Sequence, residues 1–259
     1  MANETKQHTY GSGEVSFARF LPGTQTPGAF RYLGNTPEFA LSAEQETLDH
    51  MDTDHGIRFR DDSVVTSQTL GGNIVTDNIN QENVALFFTG TTGLITQASA
   101  ASQVMNVASV QFGTYMVGAT DLNPTGVRHI TVASVTSNPT GTTYVAGTDY
   151  LVDGISGTIT FLEGGALDEG DPVIVTYSVA ASVRTQVISG NDPIEGALRF
   201  KSFNPKGPRT DYLLPYVRLA PDGDFALKGD DWLTIPFSLD VLRKGDLAAV
   251  YADGAAILS

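Results

Sequence analysis

The side chains able to do chemistry are few and scattered. The histidines are His8, His50, His55 and His129. None stands in an HExxH arrangement, in which two imidazoles one helical turn apart hold zinc. The chain has no cysteine, which removes thiolate nucleophiles, thiolate metal sites and disulfides together. No GxSxG surrounds a serine, and Gly11-Ser12-Gly13 and Ser156-Gly157 read as turns. No P-loop and no Rossmann glycine pattern occurs. Ligand-type groups are densest from Asp49 to Asp62. There Asp52-Thr53-Asp54-His55-Gly56 begins like a calcium loop but lacks the third ligand spacing and the closing Glu of an EF-hand. A solvated or interface loop is expected rather than a metal site. Asp168, Glu169 and Asp171, beside Gly170 and Pro172, read as a solvated turn rather than paired catalytic carboxylates. Trp232 follows Asp230-Asp231; it could anchor a sugar, and packing at an interface is the preferred reading. Lys201, Lys206 and Arg209 surround Asn204-Pro205-Lys206-Gly207-Pro208, a basic loop in an acidic chain. It serves solubility, or it meets an acidic patch on a neighbouring copy; the second reading is favoured. These patterns lead to no expected catalytic residue, cofactor or metal, and to a non-enzymatic protein.

The elements around these residues are those of a β protein. The chain has 259 residues, 17% charged and 41% hydrophobic, a globular balance. Gly 27 and Pro 12, with abundant Thr, Ser and Val, suit short strands and many turns. The formal charge of −14 makes a poor grip for DNA or an anionic membrane, and is compatible with a non-stick conduit for DNA. Met1 to Gln7 is polar without an apolar signal core, and no stretch is long and apolar enough for a membrane helix. The product is therefore expected to stay in the cytoplasm where it is made, or to leave by lysis.

Val15, Phe17 and Phe20 mark a first strand ended by Pro22-Gly23, and Phe30 to Leu33 a second short piece. From Pro37 the chain alternates, with Phe39, Leu41 and Ala43 on one face and Glu38, Ala40, Ser42, Glu44 and Glu46 on the other. Asp62 to Val75, interrupted at Gly71-Gly72, reads as its hairpin partner, with His50 to Gly56 as the tip. Asn80 to Phe88 is the one helix expected, capped by Asn80 and stopped by Gly90. Val104 to Met116 reads as one strand. From Asp121 the chain is dense in Thr, Val and Gly, with a hairpin through Asp153-Gly154-Ile155-Ser156-Gly157. Three segments result: a main domain over 1–120, an inserted all-β module over 121–182 resembling an Ig-like sandwich, and the main domain again over 183–259. The module's ends lie near each other in such a sandwich, so insertion costs little. Leu233 to Val241 alternates cleanly, but Pro236 in its middle demotes it to an edge or a bulge.

Several pieces, in order, resemble the major tail tube proteins of siphophages: Gly13-Glu14-Val15-Ser16-Phe17, Arg31 to Phe39, Thr76-Asp77-Asn78-Ile79, Asn83 to Phe88, Arg184 to Gly190, Glu195 to Phe200, Asn204-Pro205-Lys206-Gly207 and Leu227 to Trp232. Gly147 to Asp153 is similar to a small β module found within some of them. The resemblance implies a tail-tube β-sandwich or barrel with one short flanking helix. It implies homohexameric rings stacked into a tube that conducts double-stranded DNA, without specific binding, from the capsid into the host. Partners would be further copies and the tail-tip, tape-measure and tail-terminator proteins, with no membrane. The tube would be part of the virion tail, assembled in the host cytoplasm. Four strands from each of six copies give about 24, a wall roughly 50 Å across. Six copies at −14 each carry −84 per ring. Glu44 and Glu46 are the expected bore-facing acids. His50, Met51, Asp52, Thr53, Asp54, His55, Gly56 and Ile57 are the expected ring-stacking loop, and Lys201, Lys206 and Arg209 the inter-subunit basic loop. The insert would sit outside the tube. The alternatives are a host-surface-binding tail decoration and a tube protein of the type VI secretion kind.

Overall fold

The computed structural model describes residues 8–54, 56–139 and 141–254. In chain order its elements begin with β1 (Gly13–Arg19), β2 (Arg31–Tyr32), β3 (Glu38–Asp52), β4 (Phe59–Thr76) and α1 (Gln81–Phe87). There follow β5 (Thr91–Gln97), β6 (Ala100–Val107), β7 (Gly113–Met116), β8 (Ile130–Ser137), β9 (Tyr150–Asp153), β10 (Thr158–Phe161) and β11 (Val173–Val179). The chain ends with β12 (Ser182–Ile188), β13 (Ile194–Ser202), β14 (Thr210–Pro221), β15 (Ile235–Val241) and β16 (Tyr251–Gly254). The fold is mainly β, and α1 is the only helix among the described residues.

Two compact units result, Met1–Gly93 with Val187–Ser259, and Leu94–Gln186. In the first, an antiparallel sheet runs β2-β1-β13-β14-β15-β4-β3, with β16 on β14 off this path. Alternation drives it. Ile235, Phe237 and Leu239 of β15 are buried, as are Val15 and Phe17 of β1 and Leu214, Val217 and Leu219 of β14. Each such side chain contributes about 1.5–3 kcal/mol on burial. The sheet curls over this core. Phe39 of β3 reaches Phe200 of β13, ring centroids 5.6 Å apart, although three strands separate them in the sheet order.

Helix α1 closes the core with Leu86. The Asn80 side chain accepts from the Asn83 backbone N–H at 2.7 Å, the expected cap. Its end differs from expectation. Thr89, not Gly90, takes the left-handed conformation (φ 49°), while the N–H groups of Thr89 and Gly90 bond the carbonyls of Leu86 and Ala85. Glycine is required at 90 for space, since a Cβ would come within 2.0 Å of the Ile188 carbonyl oxygen.

A buried polar cluster ties α1 to the base of the β3–β4 hairpin. The Leu33 carbonyl accepts from Asn83 Nδ2 at 2.7 Å and from Thr76 Oγ1 at 3.1 Å. Asn83 Nδ2 also donates to the Asn78 carbonyl at 2.9 Å, and Thr76 Oγ1 to that of Asn35 at 3.0 Å. Both Thr76 and Asn83 are fully buried.

The second unit has two three-stranded sheets, β7-β10-β9 and β6-β11-β8, around a core including Ile159, Phe161, Val173 and Val175. Asp149, also buried, organises its loops by accepting from the N–H groups of Val145 (2.7 Å) and Ala166 (2.6 Å). The Val145 bond foremost holds its carboxyl below the usual aspartate range; burial pushes the other way, and the N–H groups of Ala166 and Leu167 help to lower it. Asp153 likewise gathers the N–H groups of Ile155 and Ser156 at 3.1 Å each.

The structure corrects four sequence expectations. The insert is Leu94–Gln186 rather than 121–182, because β6 and β7 pair with β11 and β10 inside the second unit. Val104 to Met116 is not one strand: the chain turns at Val110, whose N–H and carbonyl bond Asp171 and Gly170. Gly71-Gly72 does not interrupt β4; a Cβ at Gly72 would meet the Ala40 carbonyl oxygen at 2.1 Å, so glycine admits the close approach of β3. β15 is not an edge strand, since it lies between β14 and β4. Pro236 is accommodated because β14 ends opposite Phe237, leaving no donor needed on that side.

Two outcomes are expected. Asn83→Asp places a carboxylate against two carbonyl oxygens and should cost the first unit about 3 kcal/mol or more at neutral pH in denaturant unfolding. The deficit against the native chain should shrink on acidification, as the buried carboxyl takes up a proton. In Asp149, the folded-state value is lowered, so its stabilisation is present above the ordinary aspartate value of 3.8 and is lost as pH falls through the lowered folded one. Asp149→Asn should destabilise the second unit at neutral pH and lose that part of the acid dependence, as read by thermal melts across pH.

Candidate functional site

The feature that the core does not use is the far half of the β3–β4 hairpin. β4 pairs with β15 only from Leu70 to Thr76. From Thr69 to Phe59 it pairs with β3 alone. The ribbon from Glu44 to Asp52 therefore runs on past the sheet for nearly 30 Å at about 3.4 Å per residue. β3 is the terminal strand of its sheet, so among the described residues one edge of its 15 residues has no strand beside it. Unprotected edges of this length invite pairing with another chain. Natural edges are often guarded by Lys or Pro, and β3 has neither; its charges are Glu38, Glu44, Glu46, Asp49 and Asp52.

The ribbon's faces follow from its register. Glu38, Ala40, Ser42, Glu44 and Glu46 fall on one face, with Thr69 opposite Glu44 and Ser67 opposite Glu46. Ser67 Oγ donates to Glu46 at 3.0 Å. Both candidate bore acids are exposed, two residues apart on one ridge. Beyond them the same face turns apolar with Leu48 opposite Val64, 65% and 58% exposed. The other face carries Leu41, Ala43 and, opposite Thr47, Val65. Exposed aliphatic groups on both faces of a two-layer-free ribbon are a signature of surface awaiting cover.

Bulges after Glu46 and after His50 leave Thr66 and Asp61 as the extra residues of β4. Asp61 lies 2.5 Å from His50 Nδ1, and that hydrogen bond holds its carboxyl below the usual range. Arg60 reaches Asp49 at 3.4 Å. Of the expected stacking loop, His50, Met51 and Asp52 are the last rungs of β3, and the turn proper contains Thr53, Asp54, Gly56 and Ile57. The Asp54 N–H bonds Asp52 Oδ1 at 2.9 Å, and Gly56 takes φ 81°. His55 lies outside the described residues.

The expected basic loop stands elsewhere, at the β13–β14 connection. Lys201 lies 4.9 Å from the Phe203 ring, Lys206 bridges the backbone of Tyr10, and Arg209 precedes β14. Trp232 is 90% exposed, and its backbone N–H donates to Asp231 Oδ1 at 2.8 Å. Among the described residues, no three His, Asp or Glu side chains converge as metal ligands, and no helix is long and apolar enough to cross a membrane. Sequence reasoning missed the apolar outer half of the hairpin as a surface; the signal was Leu48, Val64 and Val65 at positions where an isolated ribbon has no core to face.

A family model described as protein of unknown function UCP028589 matches residues 8–249. No curated protein matches the chain.

The exposed ribbon gives a direct test. Leu48→Lys with Val64→Glu keeps an opposite-charge cross-strand pair and should change the unfolding free energy by no more than about 0.5 kcal/mol. Sedimentation velocity should show concentration-dependent association of the native chain and a doubly substituted chain that stays monomeric.

Proposed function

We propose that this chain, which belongs to the family of that model, is a structural subunit that assembles with further copies of itself into stacked hexameric rings, the tail tube of a long-tailed bacteriophage. The observation that carries this reading is the 15-residue edge strand β3, unpaired on one side among the described residues, continued by a ribbon with exposed apolar groups on both faces. A monomer gains nothing from such a surface, whereas lateral closure of copies pairs the edge and covers the ribbon.

Four consecutive strands of the first unit, β14-β15-β4-β3, supply the number that a bore of about 24 strands needs from each of six copies. The ridge of Glu38, Glu44 and Glu46 lies on one face of this sheet, where it would repel the phosphates of passing double-stranded DNA. In this reading the protein catalyses no reaction. The second unit sits on the outside of the tube, and tail-tip, tape-measure and tail-terminator proteins are the other partners, in a virion tail built in the host cytoplasm.

Negative-stain microscopy of the concentrated protein is the test. Hollow tubes with a regular axial repeat are expected. Dispersed monomers alone, even with a tail-tip initiator complex added, would overturn the reading.

A further inference from the structure

We infer that the tip of the β3–β4 hairpin docks into a groove on the first unit of a second copy, across β13, β14 and β16. The inference rests on the reading of the chain as a stacking subunit and supplies the socket that reading lacks.

The groove has a cause in the backbone. β14 pairs with β16 only from Thr210 to Leu213, and with β15 only from Val217 to Pro221. Between those stretches neither strand covers it, and Pro215 there offers no N–H. Two adjoining clefts of about 410 and 500 Å³ result, sharing Phe30, Leu213 and Asp253. The floor is apolar, and Phe30, Leu213, Leu247 and Tyr251 remain between 36% and 44% exposed.

The rim is basic in a chain that is otherwise acidic. Arg199, Arg209 and Lys244 line the clefts, with Lys201 two residues from Arg199 on the same side of β13. Asp211, at 3.4 Å, pairs with Arg199, and Asp253, shared by both clefts, offsets one of Arg209 and Lys244, so the lining keeps a formal +1.

The hairpin tip has the complementary character. Asp49, Asp52, Asp54, Asp61 and Asp62 outweigh Arg58 and Arg60, a formal −3 with His neutral. Ile57 and Phe59, 69% and 65% exposed, give it an apolar end. An apolar end inside an acidic collar matches an apolar floor inside a basic rim, and such complementarity fixes register and partner. Tip and groove are different surfaces of the chain, so the contact is heterologous and propagates from copy to copy instead of closing. That is what axial growth requires, and it gives Arg209 a role at the inter-subunit contact.

The experiment places photoreactive p-benzoylphenylalanine at position 57 of the full chain. Isotopically labelled and unlabelled protein are mixed, concentrated, imaged, irradiated and digested. Cross-links between labelled and unlabelled chains, from residue 57 to peptides containing Phe30, Leu213 or Tyr251, are expected. Arg209→Glu in the acceptor chain should lower their yield several-fold. Tubes whose cross-links fall elsewhere, within one chain or nowhere would overturn the socket and leave the tube standing. The same holds if the groove proves to hold the chain's own residues beyond Gly254. Neither tubes nor inter-chain cross-links at any concentration would overturn both readings.

Discussion

The Leu33 carbonyl, held from two sides by Asn83 Nδ2 and Thr76 Oγ1, is the contact from which the first unit is built. It joins the chain just past β2, the end of β4 and the first turn of α1. A buried carbonyl must find donors, so these segments cannot drift apart without a cost of about 1–3 kcal/mol for each group left unmade. Around it the turn is tightened further. Asn35 Nδ2 donates to Asp77 at 2.5 Å, and Gly34, at φ 91°, passes where a Cβ would overlap Asn78. The hairpin is thus anchored rigidly at its base, and its far half inherits a fixed direction without any core of its own.

That far half holds two opposed demands. In the proposed assembly, acidic groups on a ridge would keep copies apart in dilute solution, while an open strand edge and bare aliphatic groups would draw them together. The balance depends on ionic strength, because exposed charges more than about 8–10 Å apart are screened at physiological salt and apolar contacts are not. In that reading, such a surface would stay dispersed until concentration or a template tips it.

Much of this architecture was legible in the sequence. The period-two alternation of Ile235, Phe237 and Leu239 marked a strand with one apolar face, though Pro236 placed it wrongly at an edge or a bulge, and Asn80 located the start of α1. Asp149 and Asp153 fall in a piece singled out for its resemblance, and their roles are now physical: each satisfies loop N–H groups. What could not be read depended on distant pairing. Val110 turns the chain between β6 and β7 by bonding Asp171 and Gly170, and nothing near Val110 announces it. The exposure of Leu48, Val64 and Val65 was hidden for a different reason: the alternation of β3 is that of a half-buried strand, and no described residue of the chain covers its outer half.

The chain departs for the second unit and returns from it at almost one point. Thr89 Oγ1 lies 2.6 Å from the Gly190 carbonyl, the Gly190 N–H bonds Phe88, and β5 and β12 pair as a two-stranded ribbon. Once folded, the intervening stretch behaves as a short loop in the loop-closure entropy of the first unit. The sequence distance between β4 and β13 then hardly weighs on the search for their shared sheet. The contact order that governs the folding rate is effectively reduced by a piece of chain that contributes no strand to that sheet.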